Sequence, residues 1–278
     1  MPLTIGSNLI SLAVQRNLSK TNQALGQSYL RLSSGLRVNS AGDDPAGIAL
    51  AARLTSKIGG LSKAAQNVND GVSLAQVADS ALSETVTSLQ RIRDLAIAAK
   101  NTTASSSDRV SMQTEVNLMV SEITRLAANT KFNGYSLLAA ATQTFSFQIG
   151  ANPGETVQFT VQGASMGLLG FGANGKSALV STTTHASTTV LLVDSALDSI
   201  SSIRATLGGA QTRFQSVLSQ IQSLSDAYTS SKSAIMDANI AKETAEMTRN
   251  NILQQAGISI LAQANLQPKL LLQLLQTS

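Results

Sequence analysis

Residues 58–89 read IGGLSKAAQNVNDGVSLAQVADSALSETVTSL, and their apolar members fall at Ile58, Leu61, Ala65, Val68, Val72, Ala75, Ala78, Leu82, Val86 and Leu89. Every step in that series is three or four residues, the spacing of one face of an α-helix. Asn69-Asp70-Gly71 would pass for a turn in isolation, but the stripe stays in phase across it. The stretch is therefore predicted to be one continuous helix. Asp44 and Pro45 supply a plausible N-cap with proline at the first helical position. From Pro45 to Lys100 such a helix would be about 84 Å long at about 1.5 Å per residue, a rod too long for a compact domain.

Upstream, residues 38–47 (VNSAGDDPAG) concentrate turn formers, and before them Leu18, Leu25, Tyr29, Leu32 and Leu36 mark an amphipathic first helix. Downstream, Asn101 to Ser107 reads as a Thr/Ser loop, and Asp108 can cap a helix whose seam is Met112, Val116, Met119, Ile123 and Leu126. Lys131-Phe132-Asn133-Gly134-Tyr135 ends that helix in a turn. Two alternating runs follow, Phe145/Phe147/Ile149 and Val157/Phe159/Val161, separated by Asn152-Pro153-Gly154, the pattern of a β-hairpin. Residues 163–189, Gly-rich and then Ser/Thr-rich, read as a short exposed excursion. A helical seam then resumes through Leu192, Ala196, Ile200, Ile203, Leu207, Ala210, Phe214, Val217, Ile221, Leu224 and Tyr228, and Leu253, Ala256, Ile260 and Leu261 mark the last helix. The fold class is mainly α: a long antiparallel helical bundle or coiled coil with a small β-hairpin element, its two termini side by side.

The termini are nearly free of charge. No ionisable side chain precedes Arg16, and Lys269 alone follows Arg249. Charged residues make up 13% of the chain, against about 25% in an ordinary soluble domain. A buried leucine is worth roughly 1.5–3 kcal/mol, and an exposed row of them invites association. Sticky helices without a charged face call for partners, first each other and then identical copies, so the chain reads as a self-assembling subunit.

Other classes recede. The net charge of +4 is diffuse: 13 basic and 9 acidic residues before position 141, and six of each from 190 onward, with no basic stripe and no aromatic interleaving for nucleic acid. There is no cysteine and one histidine, which leaves no thiolate chemistry and no two-histidine zinc motif. Asp43-Asp44 reads as turn and cap, and Glu243 with Glu246 as a solvated helix face with nothing to raise a pKa, so neither is a catalytic pair. No enzyme, metal or cofactor is expected. The longest Leu-rich run, Leu270 to Leu275, is too short for a bilayer, which needs about 20 residues, and the first fifteen residues lack the n- and h-regions of a signal peptide. No membrane association is expected, and export would proceed without a cleaved signal.

Several motifs together resemble bacterial flagellin. Arg31-Leu32-Ser33-Ser34-Gly35-Leu36-Arg37-Val38-Asn39-Ser40-Ala41 followed by Asp43-Asp44 is similar to that family's signature between its first two helices. Asn67 to Gly71, Leu89 to Leu95, Gln113 to Val116, Phe132-Asn133-Gly134, Leu207-Gly208 with Arg213-Phe214, and Ile252 to Asn265 (ILQQAGISILAQAN) follow in the family's order. The resemblance spans everything except about residues 163–189.

What the resemblance implies is a subunit of the flagellar filament that self-assembles for swimming motility; a hook–filament junction protein with flagellin-like ends is the alternative. It implies an inner coiled-coil domain of residues 1–44 and 235–278, an outer-tube bundle with hairpin of 45–162 and 190–234, and a variable loop at 163–189. Self-assembly would rest on Leu18, Leu25, Tyr29, Leu32, Leu36, Leu253, Ala256, Ile260 and Leu261. Implied partners are identical subunits, an export chaperone for the C-terminal helix, and the hook-junction and cap proteins. Gln90, Arg91, Leu95 and Glu115 match the family's contact for a host Toll-like receptor, and Leu270 to Leu275 resembles the leucines read by cytosolic sensors. Ser181, Thr182, Thr183, Thr184, Ser187, Thr188 and Thr189 are candidate O-glycosylation sites. The implied location is extracellular, in the flagellum.

Overall fold

The computed structural model describes residues 8–172 and 175–276, with side chains up to Leu266. Its elements run α1 (Leu9–Ser34), α2 (Pro45–Lys100), α3 (Ser106–Asn129), β1 (Lys131–Phe132), β2 (Tyr135–Ser136), β3 (Thr142–Gln148), β4 (Thr156–Gln162), α4 (Thr183–Met236) and α5 (Ile240–Gln276). Two compact units emerge, one of Lys57–Asp226 and one of Met1–Ser56 with Ala227–Ser278. The division falls inside α2 and α4, whereas the bounds implied by the resemblance lie near residues 44 and 235.

In the central unit α2 is unbroken through Asn69-Asp70-Gly71. Its buried residues are Leu61, Ala64, Val68, Gly71, Ala75, Ala78, Leu82, Thr85, Leu89, Ile92, Ala96 and Ala99, alternating steps of three and four in a sustained heptad, with Leu74 and Leu95 beside them. The expected stripe is thereby corrected at Ala65, Val72 and Val86, which flank the seam half-buried while Ala64, Gly71 and Thr85 occupy it. Thr85 is tolerated there because its hydroxyl donates to the Ala81 carbonyl at 2.9 Å. Gly71 sits in tight space: a Cβ at that position would lie 3.0 Å from the Phe214 ring, which would have to shift by a few tenths of an ångström. That ring is fully buried and meets Phe147 and Phe159 edge-on, with centroids 5.6 and 5.8 Å away.

α4 runs antiparallel to α2, fixed by Arg204–Asp79 at 2.8 Å and Arg93–Asp194 at 2.6 Å. It begins at Thr183, earlier than expected, with Thr189, Val193, Ala196, Ile200, Ile203, Leu207, Phe214 and Ile221 facing inward. α3 is started by Ser105 rather than Asp108: the Ser105 side chain accepts from the Asp108 N–H while the Asp108 carboxylate accepts from the Ser105 N–H, a capping box. Asn133 and Gly134, at φ 47° and 84°, make the two-residue turn between β1 and β2. β3 and β4 pair antiparallel with Phe145 opposite Phe159 and Phe147 opposite Val157, and Asn67 of α2 donates to the Gln148 carbonyl at 3.0 Å.

The excursion at 163–189 is not an exposed loop. Met166, Phe171 and Val180 are buried, and the Gln113 side chain clamps the segment to α3, donating to the Ala178 carbonyl at 3.0 Å and accepting from the Val180 N–H at 2.6 Å. Gly175 lies so close to α3 that a Cβ there would come within 2.3 Å of Val120. Residues 183–189 belong to α4.

In the terminal unit α1 ends at Gly35, in the left-handed region at φ 70°, so Leu36 lies outside the helix. Leu36 instead forms an isolated antiparallel bridge with Asp237, between α4 and α5. The last carbonyls of α4 are capped from the other end of the chain: Met236 O accepts from the Arg37 N–H at 2.6 Å and Ile235 O from the Arg37 guanidinium at 2.5 Å. Asp44 caps α2 as expected, accepting from the Gly47 N–H at 2.9 Å.

Candidate functional site

α1 and α5 pair antiparallel. Asn8 Nδ2 donates to Ala264 O at 2.8 Å, Gln254 Nε2 to Asn22 Oδ1 at 2.8 Å, and Arg31 Nη1 to Glu243 Oε1 at 3.3 Å. A Cβ on Gly257 would touch Leu18 Cδ1 at 3.4 Å, ordinary van der Waals contact. The least exposed positions follow a heptad on both helices: Ser11, Val14, Leu18, Thr21, Leu25, Ser28 and Leu32 on α1, and Glu243, Met247, Asn250, Gln254, Gly257, Leu261 and Ala264 on α5. The seam mixes large apolar residues (Val14, Leu18, Leu25, Leu32, Met247, Leu261) with polar or small ones, and Ser11, Ser28 and Glu243 are buried in it.

The outward faces carry further leucines and the isoleucines. Leu9 is 67% exposed, Leu30 61%, Ile252 61% and Ile258 54%. Along α5 an open, shallow surface is formed by Ala241, Thr244, Ala245, Thr248, Arg249, Ile252 and Leu253, all of that one helix. The expected assembly residues divide between these faces. Leu18, Leu25, Leu32 and Leu261 are half-buried on the α1–α5 seam and Leu36 is half-buried at its bridge; Tyr29, Leu253, Ala256 and Ile260 point outward. Leu270 to Leu275 lies outside the residues whose side chains are described.

Glu243 corrects its expectation of a solvated helix face. Its side chain is 7% exposed, Oε1 takes one bond from Arg31, and Oε2 is buried without a hydrogen-bond partner among the described residues. Sequence alone missed this pair because its members stand 212 residues apart. At the α1–α2 turn, Asp43 Oδ2 accepts from the Ser40 N–H, the Asn39 N–H and the Ser40 hydroxyl, which together hold its carboxyl below the ordinary 3.8.

Of the candidate receptor contacts, Gln90 is exposed, and Arg91 pairs with Glu115 at 2.7 Å on an open surface. The hydrogen bond from Arg91 to Glu115 raises the guanidinium pKa further. Leu95 is buried, 7% exposed. Thr189 is buried too and donates to Leu179 O at 2.6 Å, so it offers no hydroxyl for a glycan; Ser181, Thr182, Thr184 and Thr188 are exposed, and Thr183 and Ser187 half-buried. Among the described residues no group of three or more His, Cys, Asp and Glu could hold a metal, and no helix is long and apolar enough to cross a membrane.

Two family models match the chain: the bacterial flagellin N-terminal helical region over residues 5–143 and the bacterial flagellin C-terminal helical region over residues 190–275. The chain belongs to the bacterial flagellin family. It is 36% identical to the flagellin of Halalkalibacterium halodurans, over 99% of this chain and 100% of that one. It is 35% identical to the flagellin of Bacillus subtilis, again over 99% and 100%. A crystal structure of Bacillus cereus flagellin aligns with a TM-score of 0.49 at 27% identity, over 56% of this chain and 88% of that one. The molecule is accordingly a structural subunit of the flagellar filament, a motility protein and not an enzyme. Nothing favours the junction-protein alternative.

Proposed function

We propose that α1 and α5 hold the filament together by packing their outward apolar faces against neighbouring copies, as an inner layer of the polymer, while the central unit forms the layer around it. One observation supports this reading above the rest: the terminal helices turn Ser11, Ser28 and Glu243 toward each other and leave Leu9, Leu30, Ile252 and Ile258 to solvent. Burial of those side chains between subunits supplies driving force beyond that of the mixed seam. Electron microscopy of monomer added to short filament seeds is the test, beside the same chain truncated before residue 235. Long tubes from the intact chain and none from the truncated one are expected; equal growth of both would refute the proposal.

The same faces define the remaining partners. A dedicated chaperone would shield α5 during export, and the hook-junction and cap proteins would present similar apolar helices at the two ends of the polymer. Host Toll-like receptor recognition would rest on Gln90, Arg91 and Glu115, with Leu95 acting by shaping the surface from beneath. Arg91→Ala monomer should lose receptor signalling; unchanged signalling would refute that contact. O-glycans would sit on Ser181, Thr182, Thr184 and Thr188, and an intact mass equal to the sequence mass in native filaments would dismiss them.

A further inference from the structure

The α1–α5 seam mixes Val14, Leu18, Leu25, Leu32 and Leu261 with Ser11, Ser28 and Glu243, while Leu9, Leu30, Ile252 and Ile258 stay outside it although the hydrophobic effect, acting within one chain, favours burying them too. A buried charge on the seam resists the rotations that would exchange these two sets. The buried group best placed to do so is Glu243, with one carboxylate oxygen on Arg31 and the other unpartnered. An ion pair so incompletely satisfied is a poor stabiliser, because desolvation offsets the attraction and the second oxygen gains nothing. It is nevertheless a strong selector: rotating either helix would strand a buried carboxylate without its cation, a much larger penalty than any loss of apolar contact. A single polar group in a helical seam sets pairing at the expense of stability in the same way.

We infer that the Arg31–Glu243 pair is the specificity determinant of assembly, fixing which faces α1 and α5 turn to each other so that Leu9, Leu30, Ile252 and Ile258 stay available to a second copy of this chain. The inference rests on the proposal that those outward faces carry assembly, and its test reads the internal pairing separately. Asn22–Gln254 and Asn8–Ala264 lie on the same seam but are neutral, so each penalises rotation less.

The chain has no cysteine, so a thiol pair at L18C/G257C reports the native facing when bridged by a short thiol-reactive crosslinker in seeded samples of the full chain. That crosslink should form in the otherwise native chain and in the charge-exchanged R31E/E243R. It should fall at least tenfold in R31M/E243L, where both charges give way to apolar groups, with helix content undiminished. Seeded elongation, measured without the cysteines, should fall with it and return in R31E/E243R. A crosslink equally efficient in all three backgrounds would overturn the inference whatever elongation does. Loss of helix content in R31M/E243L without recovery in R31E/E243R would also overturn it, marking the pair as a plain structural support. Normal crosslinking patterns with elongation unaffected by changes to Leu253 and Ile260 would instead defeat the assembly proposal and leave the facing rule standing.

Discussion

The central and terminal units use the same heptad spacing, but the central one fills it with fully buried apolar side chains and the terminal one with a half-buried mixture of apolar and polar ones. Of the twelve largest fully buried side chains, Val38 alone lies in the terminal unit; Phe171, Phe214, Leu82, Leu89, Ile92, Ile123 and the others lie in the central one. Among the described residues the terminal unit buries just Val38, Ala51 and Ala264 as apolar core, together with Ser11, Ser28 and Glu243. Periodicity therefore identifies a helix that packs on one face, but the identity of the residues on that face says with whom. Where Leu, Ile and Phe fill the seam the unit is complete in itself; where Ser and Glu share it with leucines, as between α1 and α5, exposed apolar side chains remain for the proposed contacts with other copies.

That contrast can be broken most sharply at Phe214. Phe214→Ala should destabilise the central unit by about 3–5 kcal/mol in denaturant unfolding, the usual range for emptying an aromatic site in a core. A loss under about 1 kcal/mol would show that the ring cluster is not the core. In the terminal unit, Leu253→Ser with Ile260→Ser should leave monomer unfolding within about 0.5 kcal/mol, since both side chains are about half exposed. It should nevertheless slow seeded elongation at least tenfold, from roughly 1.5–3 kcal/mol of burial forfeited between subunits. A drop in monomer stability with normal elongation would reverse the roles given to the two units.

Smaller changes sharpen the picture. Gly71→Ala should destabilise the central unit by about 1 kcal/mol, because crowding against an immobile Phe214 ring outweighs the better helix propensity of alanine. In the Phe214→Ala background the same change should become stabilising by a few tenths to about 1 kcal/mol, and a cycle without that change of sign would deny the contact. Smallest is the acid response of the caps. Asp43 in the terminal unit and Asp108 in the central one both have carboxyls held below 3.8, by hydrogen bonds from Ser40 with Asn39 and from Ser105 respectively. The stabilisation each gives is present above pH 3.8 and lost as the pH falls through its lower folded value. NMR titration should place both below 3.8, and Ser105→Ala should return Asp108 toward it while leaving Asp43 unmoved.

Much of this was legible in the chain: the continuity of α2, the β3–β4 hairpin and the antiparallel closing of the ends follow from spacing and turn chemistry alone. Gly71 and Thr85 were not legible as seam residues, because a glycine is explained by the Phe214 ring that needs its space and a threonine by a carbonyl four residues back. Residues 163–182 look like linker by composition, yet Gln113 ties them down through backbone groups that carry no side-chain signature. Glu243 reads as solvated because its cation comes from the opposite end of the sequence. In each case the missing information was a tertiary partner rather than a local preference.

α4 between Ser199 and Ser223 carries hydroxyls that turn back onto its own backbone: Ser199 donates to Ser195 O, Ser201 to Leu197 O, Thr206 to Ser202 O, Thr212 to Gly208 O, Ser216 to Thr212 O, Ser219 to Gln215 O and Ser223 to Ser219 O. A hydroxyl shared with a helical carbonyl loosens the regular bond beneath it and lowers the work of bending the helix at that turn. A propeller that is driven at one end and dragged through fluid along its length must store and return elastic strain with every revolution. In a helix with this serine and threonine ladder any such compliance would be spread over several turns rather than gathered at one hinge.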